Sequence, residues 1–321
     1  MTIAAAPEAA VWIGHAAALG AAACWVLTAM AFAAAGRRIG ASAVNLLRIA
    51  AALVILAIIV RWRLGAWLPA VPDRSIGLLL LSGVLGLAVG DHLLFSALIR
   101  VGPRLGTLVA TTLAPPLAAV LAWPVLGERL AVAQMGSMAM ILAGIAWVLA
   151  ERADGGPGTA RTAADRRTGL LMAAGGGACQ AAGLILSKLG LGHGAAEPVA
   201  VDAVLATAVR MAAALPAALV LAAWVRRRRG PAGARPPLAV RDRRIAVAGL
   251  AVGTVFGPVL GVWCSMVAVD HAPAGIAATL MATTPVLILP VAVLVDRERL
   301  GPAAIGGAVL AVAGVALLSL G

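Results

Sequence analysis

Charge is what this sequence has least of. Asp, Glu, Lys and Arg together make up 12% of its 321 residues, against 62% apolar residues and a mean hydropathy of +1.02. So few polar side chains cannot cover the core of a water-soluble globule, which leaves a polytopic membrane protein. Cysteine is also scarce. Cys24, Cys179 and Cys264 each fall inside an apolar run, which excludes a disulfide framework and a zinc-type spacing. No P-loop, HExxH or GxSxG occurs, and "GDHLLF" at Gly90 to Phe95 is a lone Asp-His neighbour pair too weak to argue metal or hydrolysis. No enzyme activity, cofactor or metal is expected. The first apolar run has no basic segment before it, so it is expected to be retained as a helix rather than cleaved as a signal peptide.

The runs that remain are rich in Ala, Leu, Val, Ile and Gly, without the period-2 alternation of a transmembrane barrel. A spanning helix needs about 20 mostly apolar residues. The chain offers ten such spans, near 11–35, 41–60, 76–99, 105–126, 130–150, 168–190, 199–225, 245–269, 274–295 and 302–320. A formal charge of +12 and a pI near 11.6 could suggest nucleic acid. The basic residues lie in short connectors, however, and "RRRRG" at Arg226 to Gly230 reads as the flank of a span, so no nucleic-acid partner is expected. The partners indicated are a lipid bilayer and a small solute.

Shifting the chain by 170 positions superposes 97–150 on 267–320 without a gap. Pro103 meets Pro273, Pro115 meets Pro285, Glu128-Arg129-Leu130 meets Glu298-Arg299-Leu300, and Gly144 meets Gly314. Upstream, with different offsets, "RIAAAL" at 48–53 resembles "RMAAAL" at 210–215, and "AACW" at 22–25 resembles "GACQ" at 177–180. The reading is therefore an internal duplication: 1–150, a polar linker 151–167, and 168–321. Five spans per copy is an odd number, so the second copy must enter the bilayer from the opposite side. The fold expected is all-α, ten transmembrane helices as two inverted five-helix repeats, an arrangement suited to alternating access.

"LGERL" at Leu126 to Leu130 reads as a tight turn, with Gly127 closing one helix and Glu128 facing the N-terminal dipole of the next. Glu128→Gln is expected to disturb folding or insertion more than substrate choice.

Residues 86–149, with a Gly-rich third helix, "FSAL", Pro in the fourth helix, "LGERL" and "LAG", resemble the repeat unit of EamA-type carriers in the drug/metabolite transporter superfamily. Residues 247–319 resemble the second copy, although "VDRERL" lacks the glycine and "GVWCSMVAVD" replaces the usual aromatic-rich exit. The resemblance implies ten spans, inverted duplication and movement of amino acids, other metabolites or drugs. It also implies a cavity lined by helices one, three, four, six, eight and nine, which would expose Trp25, Gln180 and Trp263.

A charged group at the bilayer centre costs about 2.5–3.5 kcal/mol on insertion scales. Arg48 lies inside the second span, with Asn45 three residues earlier on the same face, and Arg210 occupies the corresponding place in the seventh, eight residues after Asp202. Either arginine could hold a substrate carboxylate or phosphate; a structural ion pair or a snorkel to the interface is the alternative. Asp91 is a candidate partner for Arg48. Asp91 and His92 are also the candidate proton carriers, a helix-end cap being the other reading. The second copy has Gly261 at the Asp91 position. Pro115 and Pro285 lie inside spans and free backbone carbonyls, which Thr111, Thr112, Thr283 and Thr284 can satisfy, as a kink or as a cavity-lining hinge.

Orientation is read two ways. Eighteen basic residues lie at the end opposite the termini and five at the termini's own end, which favours termini outside, whereas the family resemblance implies termini inside. The function expected is secondary transport, export of a small metabolite across a bacterial cytoplasmic (inner) membrane, driven by a gradient of substrate, proton or sodium. A non-transporting membrane scaffold or assembly subunit is the alternative.

Overall fold

The structure, a computed structural model, describes residues 8–39, 41–67, 69–151, 163–194, 200–229, 239–296 and 301–320. All regular structure among them is helical. In chain order the helices are α1 (Glu8–Ile39), α2 (Ala41–Leu64), α3 (Asp73–Ser82), α4 (Asp91–Leu126), α5 (Val132–Glu151), α6 (Ala163–Gly190), α7 (Ala203–Arg229), α8 (Val240–Thr254), α9 (Val262–His271), α10 (Ala274–Met281), α11 (Thr284–Asp296) and α12 (Pro302–Leu320). Two π-helical segments, Gly83–Gly90 and Val255–Gly261, join α3 to α4 and α8 to α9. Among the described residues eight helical stretches, two of them running through the π-helical segments, are long and apolar enough to cross a bilayer, and the apolar stretches at 274–290 and 302–318 are shorter. Most of the 151–167 linker, the middle of the 226–244 connector and the "RERL" of the second copy lie outside the described residues.

The outer surface is apolar. Val54, Ile58, Trp62, Val120, Trp123 and Val309 are each more than half exposed, as lipid contact requires. The charges instead gather at the two ends. The start of α1, the α4–α5 turn, the end of α6, the start of α7 and the end of α12 share one end. The α1–α2 turn, the starts of α6 and α8 and the end of α7 share the other, where Arg38 pairs with Asp242 at 2.8 Å.

The two halves interlock rather than sit side by side. Helix α1 packs on α8, α9 and α10 of the second half, and α6 packs on α3 and α4 of the first. Equivalent residues make equivalent crossings. Gly14 lies against Ala272, Thr28 against Gly257 and Ala35 against Gly249; in the other copy Gly169 lies against Val101, Gly183 against Gly86 and Gly190 against Leu79. Both helix pairs are antiparallel. Helix α6 then runs parallel to the later part of α4, with Gly177 against Ala110 and Ile185 clustered with Ala122. The chain therefore reverses near Gly102 and Pro103 while staying helical, where the sequence alone suggested a break between two spans.

Helices α5 and α12 meet antiparallel through glycine. A methyl added at Gly144 would lie 2.5 Å from the Gly307 carbonyl oxygen, and one at Gly314 would lie 3.0 Å from that of Ser137. Shifting by 170 positions exchanges these two contacts, so the joint is its own image. Small residues at such a crossing let backbones approach where no hydrophobic driving force acts between helices.

Candidate functional site

A cavity of about 370 Å³ lies between the halves, with walls from α1, α2, α4, α6, α7, α9, α10, α11 and both π-helical segments. Of the residues singled out from sequence, Trp25, Arg48, Asp91, Thr111, Pro115, Gln180, Arg210, Thr284 and Pro285 line it. A wider depression of about 490 Å³ at the arginine-rich end, by Val109, Arg166, Arg167 and Leu171, is open and almost wholly apolar. The central cavity is where the buried polar groups converge.

Its polar wall is built around Arg48. The Nε donates to Asn45 Oδ1 at 2.8 Å, Nη2 donates to Asp91 Oδ2 at 2.6 Å, and the guanidinium carbon sits 5.5 Å from the centre of the Phe32 ring. Gln180 Nε2 donates to the other carboxylate oxygen of Asp91 at 3.2 Å. A helical spacing of three sets Asn45 beside Arg48, and the α3–α4 and α6 elements bring Asp91 and Gln180 across to them.

Arg210 is placed differently. Helix α7 comes so close to the π-helical segment Gly83–Gly90 that a methyl at Gly83 would lie 2.2 Å from the Arg210 carbonyl oxygen. The arginine is 5% exposed, its Nη1 reaches the Met266 sulfur at 3.4 Å, and its Nε has no partner among the described residues. Asp202, eight residues earlier on nearly the same face, does not pair with it. That carboxylate caps the start of α7 through the amides of Val204 and Leu205 and meets Arg63 at 3.4 Å.

The remaining sequence candidates lie off the cavity wall. His92 meets Trp224 edge-on at 6.3 Å between ring centres. Asn45 acts from behind Arg48. Thr112 and Trp263 are not among the lining residues, and the wall beside Trp263 is made by Val262 and Ser265 instead. Thr283 is buried and donates to the Leu280 carbonyl at 2.7 Å. Its neighbour Thr284 donates at 3.0 Å to the carbonyl of Met281, the group that the proline four residues on leaves without an amide donor. Helix α10 ends there and α11 begins, so Pro285 breaks the ninth apolar run at the wall. In α4 Pro115 leaves the helix intact, with the Thr111 hydroxyl on the Thr107 carbonyl at 2.8 Å.

Thr28, Thr107, Ser265, Met211 and Met281 also line the cavity without having been singled out. Thr28 is one helical turn past Trp25, a spacing that could have flagged it. The two π-helical segments had no sequence signal beyond glycine density, and such segments recur at functional sites because they re-aim side chains. Among the described residues no three of His, Cys, Asp and Glu gather as a metal would require.

The "LGERL" turn needs correction. Gly127 closes α4 in the left-handed conformation, φ 70°, its amide on the Trp123 carbonyl. Glu128, however, does not serve the helix that follows. Helix α5 starts only at Val132, and Gln134 Oε1 accepts the Ala131 amide there. Glu128 reaches into the second half, where Oε2 accepts the Ala274 amide at the start of α10 at 2.7 Å and Oε1 meets Lys188 Nζ at 2.6 Å. Lys188, the chain's single lysine, also donates to the Ala272 carbonyl. Beneath these contacts Ala122, Ile185, Ala274, Leu126 and Leu189 form an apolar plug. The cavity lining stops short of this plug, while at the other end it extends to Thr107, near the chain reversal.

No curated protein matches this sequence. A crystal structure of another protein is similar in fold, with a TM-score of 0.73 over 98% of this chain and 98% of that one at 22% identity. The EamA-like transporter family matches twice, over residues 12–150 and 167–320. With two copies of the family's unit covering nearly the whole length, this chain belongs to the EamA-like transporter family, a family of multi-pass membrane transporters.

Proposed function

We propose that the protein is a secondary transporter that moves a small metabolite by alternating access through the central cavity, as an exporter. Ten apolar helical segments, counting the two shorter ones, would cross the bilayer as two units, 1–150 and 168–321, inverted with respect to one another. The antiparallel α5–α12 joint, whose two glycine contacts exchange under the repeat shift, supports the inversion. So do the matched crossings of α1 on the second half and α6 on the first. Related halves packed about such an axis have two arrangements of similar energy, one open to each side.

The observation that carries the reading is a cavity with one sealed end. The Glu128–Lys188 pair and the plug below it close the end that holds the termini, and the lining reaches toward the arginine-rich end. The positive-inside tendency would put the arginine-rich end in the cytoplasm of a bacterial inner membrane, ready to load a solute for export. The sequence carries no nucleotide-binding motif, so a gradient of substrate, proton or sodium would supply the drive. Asp91, Arg48 and Gln180 form the polar wall that a coupling proton would meet. A scaffold without transport has no need of polar groups converging on such a space.

Flux in proteoliposomes tests this. The expected result is saturable, gradient-dependent movement of at least one class among amino acids, nucleosides, organic anions and organic cations; no flux above empty liposomes for any class would overturn the reading. Labelling of a single engineered cysteine in 151–167, in a chain lacking Cys24, Cys179 and Cys264, tests the orientation. Protection from an impermeant outside reagent is expected.

A further inference from the structure

We infer that the cavity's solute is a small organic monocarboxylate with an apolar body, its carboxylate seated on Arg210. The inference rests on the transporter reading and names its substrate class. Three charged side chains line the cavity: Arg48, Asp91 and Arg210. Arg48 and Asp91 neutralise each other at 2.6 Å, with Asn45 accepting from Arg48 and Gln180 donating to Asp91. Arg210 remains. It is nine-tenths buried; among the described residues its Nε is unpartnered, its one hydrogen-bond partner is a thioether, a weak acceptor, and no carboxylate stands at ion-pair distance, the Asp91 charge acting on it only from farther off.

A guanidinium stays charged, and a buried charge without a partner is among the costliest features a fold can keep. A ligand anion removes that cost, and a carboxylate matches the planar fork of donors two-on-two. The formal charge of the lining is one positive unit, which a monoanion cancels and a dianion overshoots. A free cation would be repelled. The ammonium of a zwitterion would have to compete with Arg48 and Gln180 for Asp91, the one carboxylate among the lining residues. The rest of the wall is Trp25, Leu87, Leu94, Leu184, Met211 and Met281, which asks for an apolar body. The volume lies at the lower end of the roughly 300–1,000 Å³ of small-molecule sites.

The test is a shape-matched series on the purified full-length protein in detergent, read by the thermal unfolding midpoint and by titration calorimetry. The probes are 4-methylpentanoate, its amide, the corresponding primary amine, and isopentyl phosphate. The carboxylate is expected to raise the midpoint while the amide and amine do not. Arg210→Gln should weaken carboxylate binding about ten- to a hundredfold, and Arg210→Lys should keep part of it. No shift with the carboxylate, an equal shift with the amide or amine, a larger one with the phosphate, or carboxylate affinity unchanged in Arg210→Gln would each overturn the inference. If Arg210→Gln does not fold, the wild-type series decides alone. Proteoliposome flux of a cation without carboxylate binding would leave transport standing and remove this inference, and carboxylate binding without flux of any solute would do the reverse.

Discussion

Arg48 and Arg210 occupy matching places in the two copies and live in opposite circumstances. The first is held by Asn45, Asp91 and the Phe32 ring, and the second by a methionine sulfur alone. The same split runs through the helix crossings behind them. Where α6 meets the first half, Gln180 bonds Asp91; where α1 meets the second, Trp25 lies against Gly261, and the residue that follows that π-helical segment, as Asp91 follows the other, is Val262. Duplication supplied two equivalent frames, and the copies diverged in which polar groups they kept. One frame now satisfies its own charge, and the other leaves a charge for something else to satisfy.

The sharpest way to break this comparison is to remove one partner. Asp91→Ala strands Arg48 in a low-dielectric wall and is expected to cost about 3–5 kcal/mol of stability, read as a large drop in thermal midpoint in detergent. The double change Asp91→Leu with Arg48→Met should recover most of that loss, because an apolar pair of similar volume has no charge to desolvate. Next in size, Gly144→Val and Gly314→Val should each cost about 2–3 kcal/mol, and equally, because the two glycines make exchanged contacts at one joint. Unequal losses would break the symmetry argued for α5 and α12.

Arg210→Met should go the other way. Removing an unpartnered buried charge is expected to leave stability unchanged or raise it by about 1–2 kcal/mol, while solute binding is lost. A loss as large as that of Asp91→Ala would mean that Arg210 is structural. Glu128→Gln should cost about 1–2 kcal/mol through the Lys188 pair and the Ala274 amide, measured by the same unfolding assay. It should also expose the plug residue Ala122, as a reporter cysteine, to water-soluble thiol reagent from the sealed end. Smallest of all, Thr284→Val should cost about 1 kcal/mol, the hydroxyl bond to the Met281 carbonyl beside Pro285.

The helices were legible because a bilayer imposes a length and an apolar content that no other fold class shares, and the duplication because proline, glutamate and glycine recur where chance would not repeat them. The Arg48–Asp91 pairing could be suggested, since an intramembrane arginine needs a carboxylate and few exist. What the sequence hid depends on three-dimensional crossings. Glu128 looked like the cap of the next helix, yet its partner Ala274 lies 146 positions away in the other half. Trp263 was expected on the cavity wall from the resemblance to EamA-type carriers, but Val262 and Ser265 stand there. The π-helical segments shift the side-chain phase after Gly83 and Val255, so a constant α-helical period carried through them places the residues beyond on the wrong face.

The central claim, that transport requires the sealed end to open, has a direct test. In a chain lacking Cys24, Cys179 and Cys264, cysteines placed at Glu128 and Lys188 are joined by a short reductively cleavable thiol cross-linker, and solute flux is measured in proteoliposomes before linking, after linking and after cleavage. The account predicts flux before, none while linked, and recovery on cleavage; flux undiminished in the linked protein would contradict it.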